Sequence, residues 1–183
     1  MLEGELVRLE PLEPRHEDAM WEAAQDERAW SLMRVRANES REAFASWFAD
    51  MRENALGFAQ VVDGRPLGHT SYLNVREEDR VLEIGNTWLT PSAWGSGVNT
   101  EAKLLLMRHA FEDEGYLRVE FKTDARNERA RAALAALPAE LEGVFRKHML
   151  VRGGERRDSA WYAVIDDDWP DVKAALERRL SAK

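Results

Sequence analysis

The chain has no cysteine among its 183 residues. Disulfides, thiolate metal sites and any mechanism that parks an acyl group on a protein thiol are thereby excluded. Histidine is scarce as well: His16, His69, His109 and His148 are scattered, and none makes a metal-ligand spacing with another, so no metal is expected. Long apolar runs are missing, and the opening Met1-Leu2-Glu3-Gly4-Glu5 has neither a basic region nor an apolar one. Neither a membrane span nor a secretory signal is therefore expected, and the chain reads as cytoplasmic. Positive charge is in deficit, with 26 Lys and Arg against 34 Asp and Glu for a net charge of −8. That balance argues against nucleic acid as a partner and favours cations such as amines.

What is present is enough for a substantial core. With 44% hydrophobic and 33% charged residues over positions 1–183, one compact domain is expected. Glu5 to Leu12 alternates as a first strand ended by Pro11. His16 to Gln25 reads as a short helix, and Ser40 opens a second over Arg41 to Asn54 with Phe44, Trp47, Phe48 and Met51 on one face. Trp21, Trp30 and Trp47 either pack together or line an acceptor pocket. Two strands, Gly57 to Val62 and Leu67 to Val75, flank Asp-Gly turn chemistry and predict a hairpin. Val81 to Thr90 is a further strand whose Gly85 marks a bulge or a close approach, and Pro91 stops it.

Directly after that strand comes Trp94-Gly95-Ser96-Gly97-Val98-Asn99-Thr100-Glu101-Ala102-Lys103, which opens a helix running to Gly115. Two glycines one residue apart allow a tight turn in which consecutive N–H groups converge where a helix begins. The unpaired amides and positive dipole end of that helix make an anion cradle, able to hold a pyrophosphate mainly by backbone. A plain strand-to-helix connection capped by Thr100 is the competing reading. Leu117 to Thr123 is the next strand, Asn127 to Ala136 a short helix, Gly143 to Val151 and Arg157 to Ile165 a terminal hairpin, and Asp171 to Leu180 a closing helix. Because the helix after the glycine loop must cross over between two strands, the order predicts a mixed, mostly antiparallel sheet with one parallel pair.

These words, in this order, resemble the GNAT N-acetyltransferase superfamily, and within it the branch of ribosomal-protein N-terminal acetyltransferases. The resemblance rests on Glu83-Ile84-Gly85 with Trp88 and Pro91, the glycine stretch from Trp94 to Lys103, Thr123-Asp124-Ala125-Arg126-Asn127, Glu142-Gly143 with Arg146-Lys147-His148-Met149, Arg157-Asp158 and Trp169-Pro170. It implies an α/β fold (α+β) with a sheet of about seven strands and helices on its faces, the parallel fourth and fifth strands splayed apart. It implies acetyl-CoA as co-substrate, its pyrophosphate on the amides of Trp94, Gly95, Ser96, Gly97, Val98, Asn99 and Thr100. The pantetheine arm would lie in the splay along Trp88 and Leu89 like an added strand. Asn127 matches the family asparagine near that arm and can also serve as an N-cap; Arg131 either touches a phosphate or is a solvated cation.

Transfer of acetyl from a thioester to a primary amine, either a protein or peptide N-terminus or a small amine, needs a base for the amine proton. Glu83, on the strand leading into the loop, is the first candidate, with a structural role as its alternative. His148 is the second, since its stretch borders the acceptor side in relatives. The chain departs from the family pattern in three places: Ala130 stands where a serine often protonates the departing thiolate, Ser96 where a Lys or Arg often sits, and Leu137-Pro138-Ala139 where a Leu-Gly turn is common. Tyr162 is left as a donor or a core residue. A CoA-binding regulator with little turnover and a sheet that is only an interaction scaffold are the alternatives, and a homodimer is common among relatives.

Overall fold

The computed structural model describes residues 1–182, which form one eight-stranded sheet with helices on both faces. Strands β1 (Leu2–Glu3), β2 (Arg8–Pro11), β3 (Leu56–Val62), β4 (Arg65–Arg76), β5 (Val81–Leu89), β6 (Arg118–Asp124), β7 (Glu140–Val151) and β8 (Glu155–Ile165) lie in the order β1-β2-β3-β4-β5-β6-β8-β7. Every neighbouring pair is antiparallel except β5 and β6. The sheet is thus the mixed one expected, with one strand more than the sequence predicts.

The extra strand has a physical cause. Alternation over Glu5 to Leu12 predicts a single strand, but Glu5 to Val7 lie outside any ladder. Their amides go instead to one side chain: Glu101 accepts from Glu5 N at 2.9 Å, Leu6 N at 2.7 Å and Val7 N at 2.8 Å. A backbone N–H already bonded to a carboxylate cannot also pair with a strand, so the ladder breaks and a two-residue β1 forms before it.

On one face lie α1 (Glu17–Ala23) and α2 (Arg41–Glu53), over a core of Met20, Trp30, Phe44, Trp47, Phe48, Met51 and Trp88. Ser40 caps α2, its hydroxyl accepting from Ala43 N at 3.0 Å, and the apolar residues repeat at helical spacing. Trp30 packs edge-on to Trp47 with centroids 5.3 Å apart, and Trp30 and Trp47 are buried, so the tryptophan cluster is packing. On the other face lie α3 (Val98–Arg108), α4 (Glu128–Ala135) and α5 (Trp169–Ser181) against Leu82, Ile84, Val119, Phe121 and Tyr162. The sheet is therefore a partition with a dry core on either side.

The partition opens at one place. Strands β5 and β6 pair only at Val81↔Arg118, Leu82↔Val119 and Glu83↔Glu120, although β5 runs to Leu89 and β6 to Asp124. Beyond Glu83 they diverge. The register with β4 jumps between Ser71↔Gly85 and His69↔Trp88, so β5 carries an extra residue at the bulge foreseen beside Gly85. Asn86 adopts φ 48° there, and the buried His69 fixes it, Nδ1 lying 2.9 Å from the Asn86 carbonyl. Burial pushes the His69 pKa down to about 4, so the ring is neutral and donates through Nδ1.

Candidate active site

The glycine loop sits at the C-terminal end of β5, beside the splay. Trp94 Nε1 donates to the Leu89 carbonyl at 3.0 Å and ties the loop to the strand it leaves. Ser96 turns inward, donating to the Ala93 carbonyl at 2.7 Å and accepting from Val98 N at 3.3 Å. Gly97 precedes the first turn of α3 at φ 106°, a conformation that strains any residue with a Cβ. The N-cap of α3 is Gly97, which makes no side-chain cap bond, so Thr100 is not the cap. Among the described residues, the N–H groups of Gly97, Asn99 and Thr100 meet no protein acceptor, and Asn99 Oδ1 is buried without a partner. Unsatisfied amides at the positive end of a helix are what an anion requires.

These groups open onto a cavity of about 820 Å³ that passes through the gap between β5 and β6. Of the residues the sequence singles out, Glu83, Trp88, Leu89, Trp94, Gly95, Gly97, Asn99, Thr100 and Asn127 line it. Asn127 caps α4, its Oδ1 accepting from Ala130 N at 3.0 Å, while its amide nitrogen has no protein partner among the described residues. Both of its expected roles are therefore compatible. Ser96 and Val98 stand behind the wall, bonded to one another. Arg131 is not on the wall either: Nε lies 3.2 Å from the Tyr162 hydroxyl and Nη1 3.3 Å from the Ala125 carbonyl, and Tyr162 is core.

Glu83 stands where the paired part of β5 and β6 ends, only 2% exposed. One carboxylate oxygen is committed: Oε2 accepts from Asn74 Nδ2 at 2.7 Å and Lys122 Nζ at 2.9 Å. The other, Oε1, has no protein partner among the described residues. Gly85 preserves that opening, because a Cβ there would come 3.1 Å from Oε1 and 2.8 Å from Leu73 Cδ1. His148 is half-buried and does not line the cavity, with Nδ1 3.0 Å from Ser159 Oγ and its ring edge-on to Trp161. Burial first, then the nearby Lys122 and Arg157 charges, lowers its pKa below the usual imidazole value.

Cations that sequence reasoning passed over also reach the cavity. Arg129 sits over Trp94, its guanidinium carbon 3.3 Å from the ring centroid, and Arg28 approaches the same ring at 5.8 Å. An aromatic in the glycine loop with an arginine in the first turn of α4 was the available signal. Lys103, one turn beyond Thr100 on α3, is 8% exposed, sits over Phe121 and pairs with no carboxylate among the described residues. Burial pushes its pKa down to about 8.

That shift has a signed consequence for stability. The folded pKa is below the unfolded value, so the unfolded chain binds more protons between about pH 8 and 10.5, and stability rises across that window. Below it the cost of the buried ammonium is present in full, at about 3 kcal/mol for a shift of this size. Lys103→Met is expected to raise the thermal midpoint of the ligand-free chain at pH 7 by about 5–10 °C. The gain over wild type should shrink as pH rises from about 8 to 10.5, a difference that scanning calorimetry reads directly; equal slopes for both proteins across that window would refute it.

Residues 7–139 match the family model described as an acetyltransferase (GNAT) domain. A solved GCN5-related N-acetyltransferase from Brucella melitensis is 30% identical, with a TM-score of 0.91, covering 97% of this chain and 83% of the other. An acetyltransferase of T. thermophilus, so named provisionally, is 38% identical with a TM-score of 0.91 over 98% and 96% of the two chains. A Bacillus subtilis (strain 168) protein carried provisionally as ribosomal N-acetyltransferase YdaF is 29% identical over 126 residues, 69% of this chain and 67% of its own.

Proposed function

The chain belongs to the GNAT acetyltransferase family, whose members carry out acetyl-CoA-dependent acetylation, and from that premise we propose that it moves an acetyl group to a primary amine: a protein or peptide N-terminus, or a small amine. The observation that carries this reading is the row of unpartnered amides at the head of α3, opening onto the cavity on whose wall Glu83 presents Oε1. The residues present suit the cofactor. Gly97, Asn99 and Thr100 would hold its pyrophosphate through N–H groups, Arg28 and Arg129 would add charge beside it, and Trp88, Leu89 and Asn127 would flank its arm. When bound, acetyl-CoA supplies a thioester carbonyl whose bond to sulfur is exchanged for one to the amine nitrogen.

Glu83 then does two things. Its Oε1 accepts the proton that an ammonium must lose before it is a nucleophile, and its Oε2 stays fixed by Asn74 and Lys122, so the base is pre-aimed. The similarity to a protein named as a ribosomal acetyltransferase supports a protein N-terminus as acceptor. A CoA-binding regulator with little turnover is the second reading, favoured by Ala130, which lines the cavity and can give no proton to a thiolate.

Calorimetry with acetyl-CoA, followed by a thiol-release assay over amines and N-terminal peptides, tests this. Binding without release on any acceptor selects the regulator, and no heat at millimolar cofactor overturns both readings. Gly97→Val forces a branched side chain into a left-handed turn and disorders the cradle, for about 1–3 kcal/mol. Its Kd for acetyl-CoA is accordingly expected to rise about 10–100-fold, with the midpoint of the ligand-free chain lowered by about 2–10 °C. An unaltered Kd would show that these amides hold nothing.

A further inference from the structure

The acceptor side of the cavity carries a charge pattern opposite to that of the whole chain. Arg157, on β8, lines the cavity and is 6% exposed. Its Nε donates to Ser159 Oγ at 3.1 Å, and among the described residues its guanidinium pairs with no carboxylate. The nearby acids are already taken. Asp124 is held by Arg126 at 2.9 Å and Arg152 at 3.0 Å, Glu155 by the same two arginines at 2.6 and 2.8 Å, and Glu83 by Lys122 at 2.9 Å. Three carboxylates thus face Lys122, Arg126, Arg152 and Arg157, and Arg34 adds a further unpaired cation on the cavity wall. Arg34 is held there because its carbonyl accepts from Arg152 N at 3.1 Å. A buried cation left without a counter-charge is costly, and in a chain of net charge −8 the excess has a local purpose.

We infer that Arg157, with Arg34 beside it, receives the carboxylate of an acceptor whose primary amine lies at Glu83, so that the substrate class is an amine bearing an anionic group several bonds away. The inference rests on the transferase reading above. Burial lowers the Arg157 pKa; the Asp124 and Glu83 carboxylates oppose that shift, and the charges of Arg152 and Arg34 add to it. The spacing follows from the strands. Lys122, which grips Glu83, faces Trp161 across β6 and β8, and Arg157 is four residues along β8 from Trp161. At about 3.3 Å per residue the two backbone positions are about 13 Å apart along the strand, and the Arg157 side chain, folded back to Ser159 two residues from Trp161, shortens this to about 7 Å. An α-amino acid, with its charges on adjacent atoms, is too short. An ω-amino acid or a peptide N-terminus with Asp or Glu among its first residues has the required reach.

The test uses matched pairs with the full chain and acetyl-CoA. Glycine, β-alanine, 4-aminobutyrate and 6-aminohexanoate are compared with their amides, and peptides beginning Ala-Asp or Ala-Glu with those beginning Ala-Asn or Ala-Gln, in the thiol-release assay. The longer acids or the acidic peptides are expected to exceed their amides at least tenfold in kcat/KM, chiefly through KM, with the advantage shrinking as salt rises. Which set responds distinguishes a small acceptor from a peptide. Arg157→Gln should bring the acid-to-amide ratio to about one, Arg157→Lys should restore part of it, and Arg34→Gln should lower it by a smaller factor. Equal turnover of acids and amides, or a ratio unmoved by Arg157→Gln, overturns the inference. A readout without turnover separates the two levels: with CoA present, the acids should raise the melting temperature and the amides should not. If that shift appears and vanishes in Arg157→Gln while no thiol is released, the anion site stands and the transferase reading falls; if no ligand shifts the curve and none is turned over, both fall.

Discussion

Glu83→Gln is expected to cut kcat for any amine the chain acetylates by about 10²–10³-fold, the usual worth of a positioned base. The Kd for acetyl-CoA should hardly change. Glutamine matches glutamate in shape and can still accept from Asn74 and Lys122 through the oxygen that replaces Oε2, so the bulge and the splay should survive. What disappears is the proton acceptor at Oε1, the carboxylate oxygen that no protein group occupies and that Gly85 leaves uncovered. His148→Ala is the informative companion. With its ring bonded to Ser159, edge-on to Trp161 and off the cavity wall, it should lose less than tenfold, mainly by loosening the wall near Arg157. Steady-state thiol release on both variants decides the assignment. A fall of less than threefold for Glu83→Gln would move the base elsewhere, and a larger loss for His148→Ala would move it to the imidazole.

The parts of this molecule that could be read from sequence are those governed by neighbours in the chain. The glycine loop was legible because Gly95 and Gly97 bracket a single residue at a strand end and apolar spacing begins at once afterwards. The hairpin over β3 and β4 was legible because Asp63 and Gly64 both take positive φ in its turn, as Asp-Gly chemistry requires. Asn127 as an N-cap and Ser40 as another are equally local. The illegible parts depend on docking. Arg129 and Arg131 are two residues apart on α4, and only the seating of that helix against Trp94 and Tyr162 sends the first to the cavity and the second to the core. That every acid near Arg157 is already held by another cation is a statement about what surrounds it in three dimensions, and no spacing along the chain encodes it. The same holds for Lys103, which helical periodicity places on α3 without saying that its ammonium ends over Phe121.

The clearest case of a non-local role is Glu101, and its removal supplies the other large effect. Glu101→Ala should lower the thermal midpoint by about 5–15 °C, a loss of about 2–4 kcal/mol in a chain of this length. Glu101 lies in the first turn of α3, and its two oxygens take the amides of Glu5, Leu6 and Val7 across a sequence separation of 94 to 96 residues. Val7 is buried, so its N–H, once stranded, has no water to turn to, while Glu5 and Leu6 are exposed and recover part of their loss from solvent. That asymmetry is why the expected cost is well below three full hydrogen bonds to a charge. Glu101→Gln should fall between, because its oxygen can keep Leu6 and Val7 while its NH2 opposes the Glu5 N–H. Since the carboxylate also ties the first turn of α3 to the edge of the sheet, the alanine variant should weaken acetyl-CoA binding by a few-fold through a less rigid cradle. Melting curves with and without the cofactor separate the two consequences. A midpoint within about 2 °C of wild type for Glu101→Ala would mean that water replaces the carboxylate at all three amides and that the break between β1 and β2 owes nothing to it.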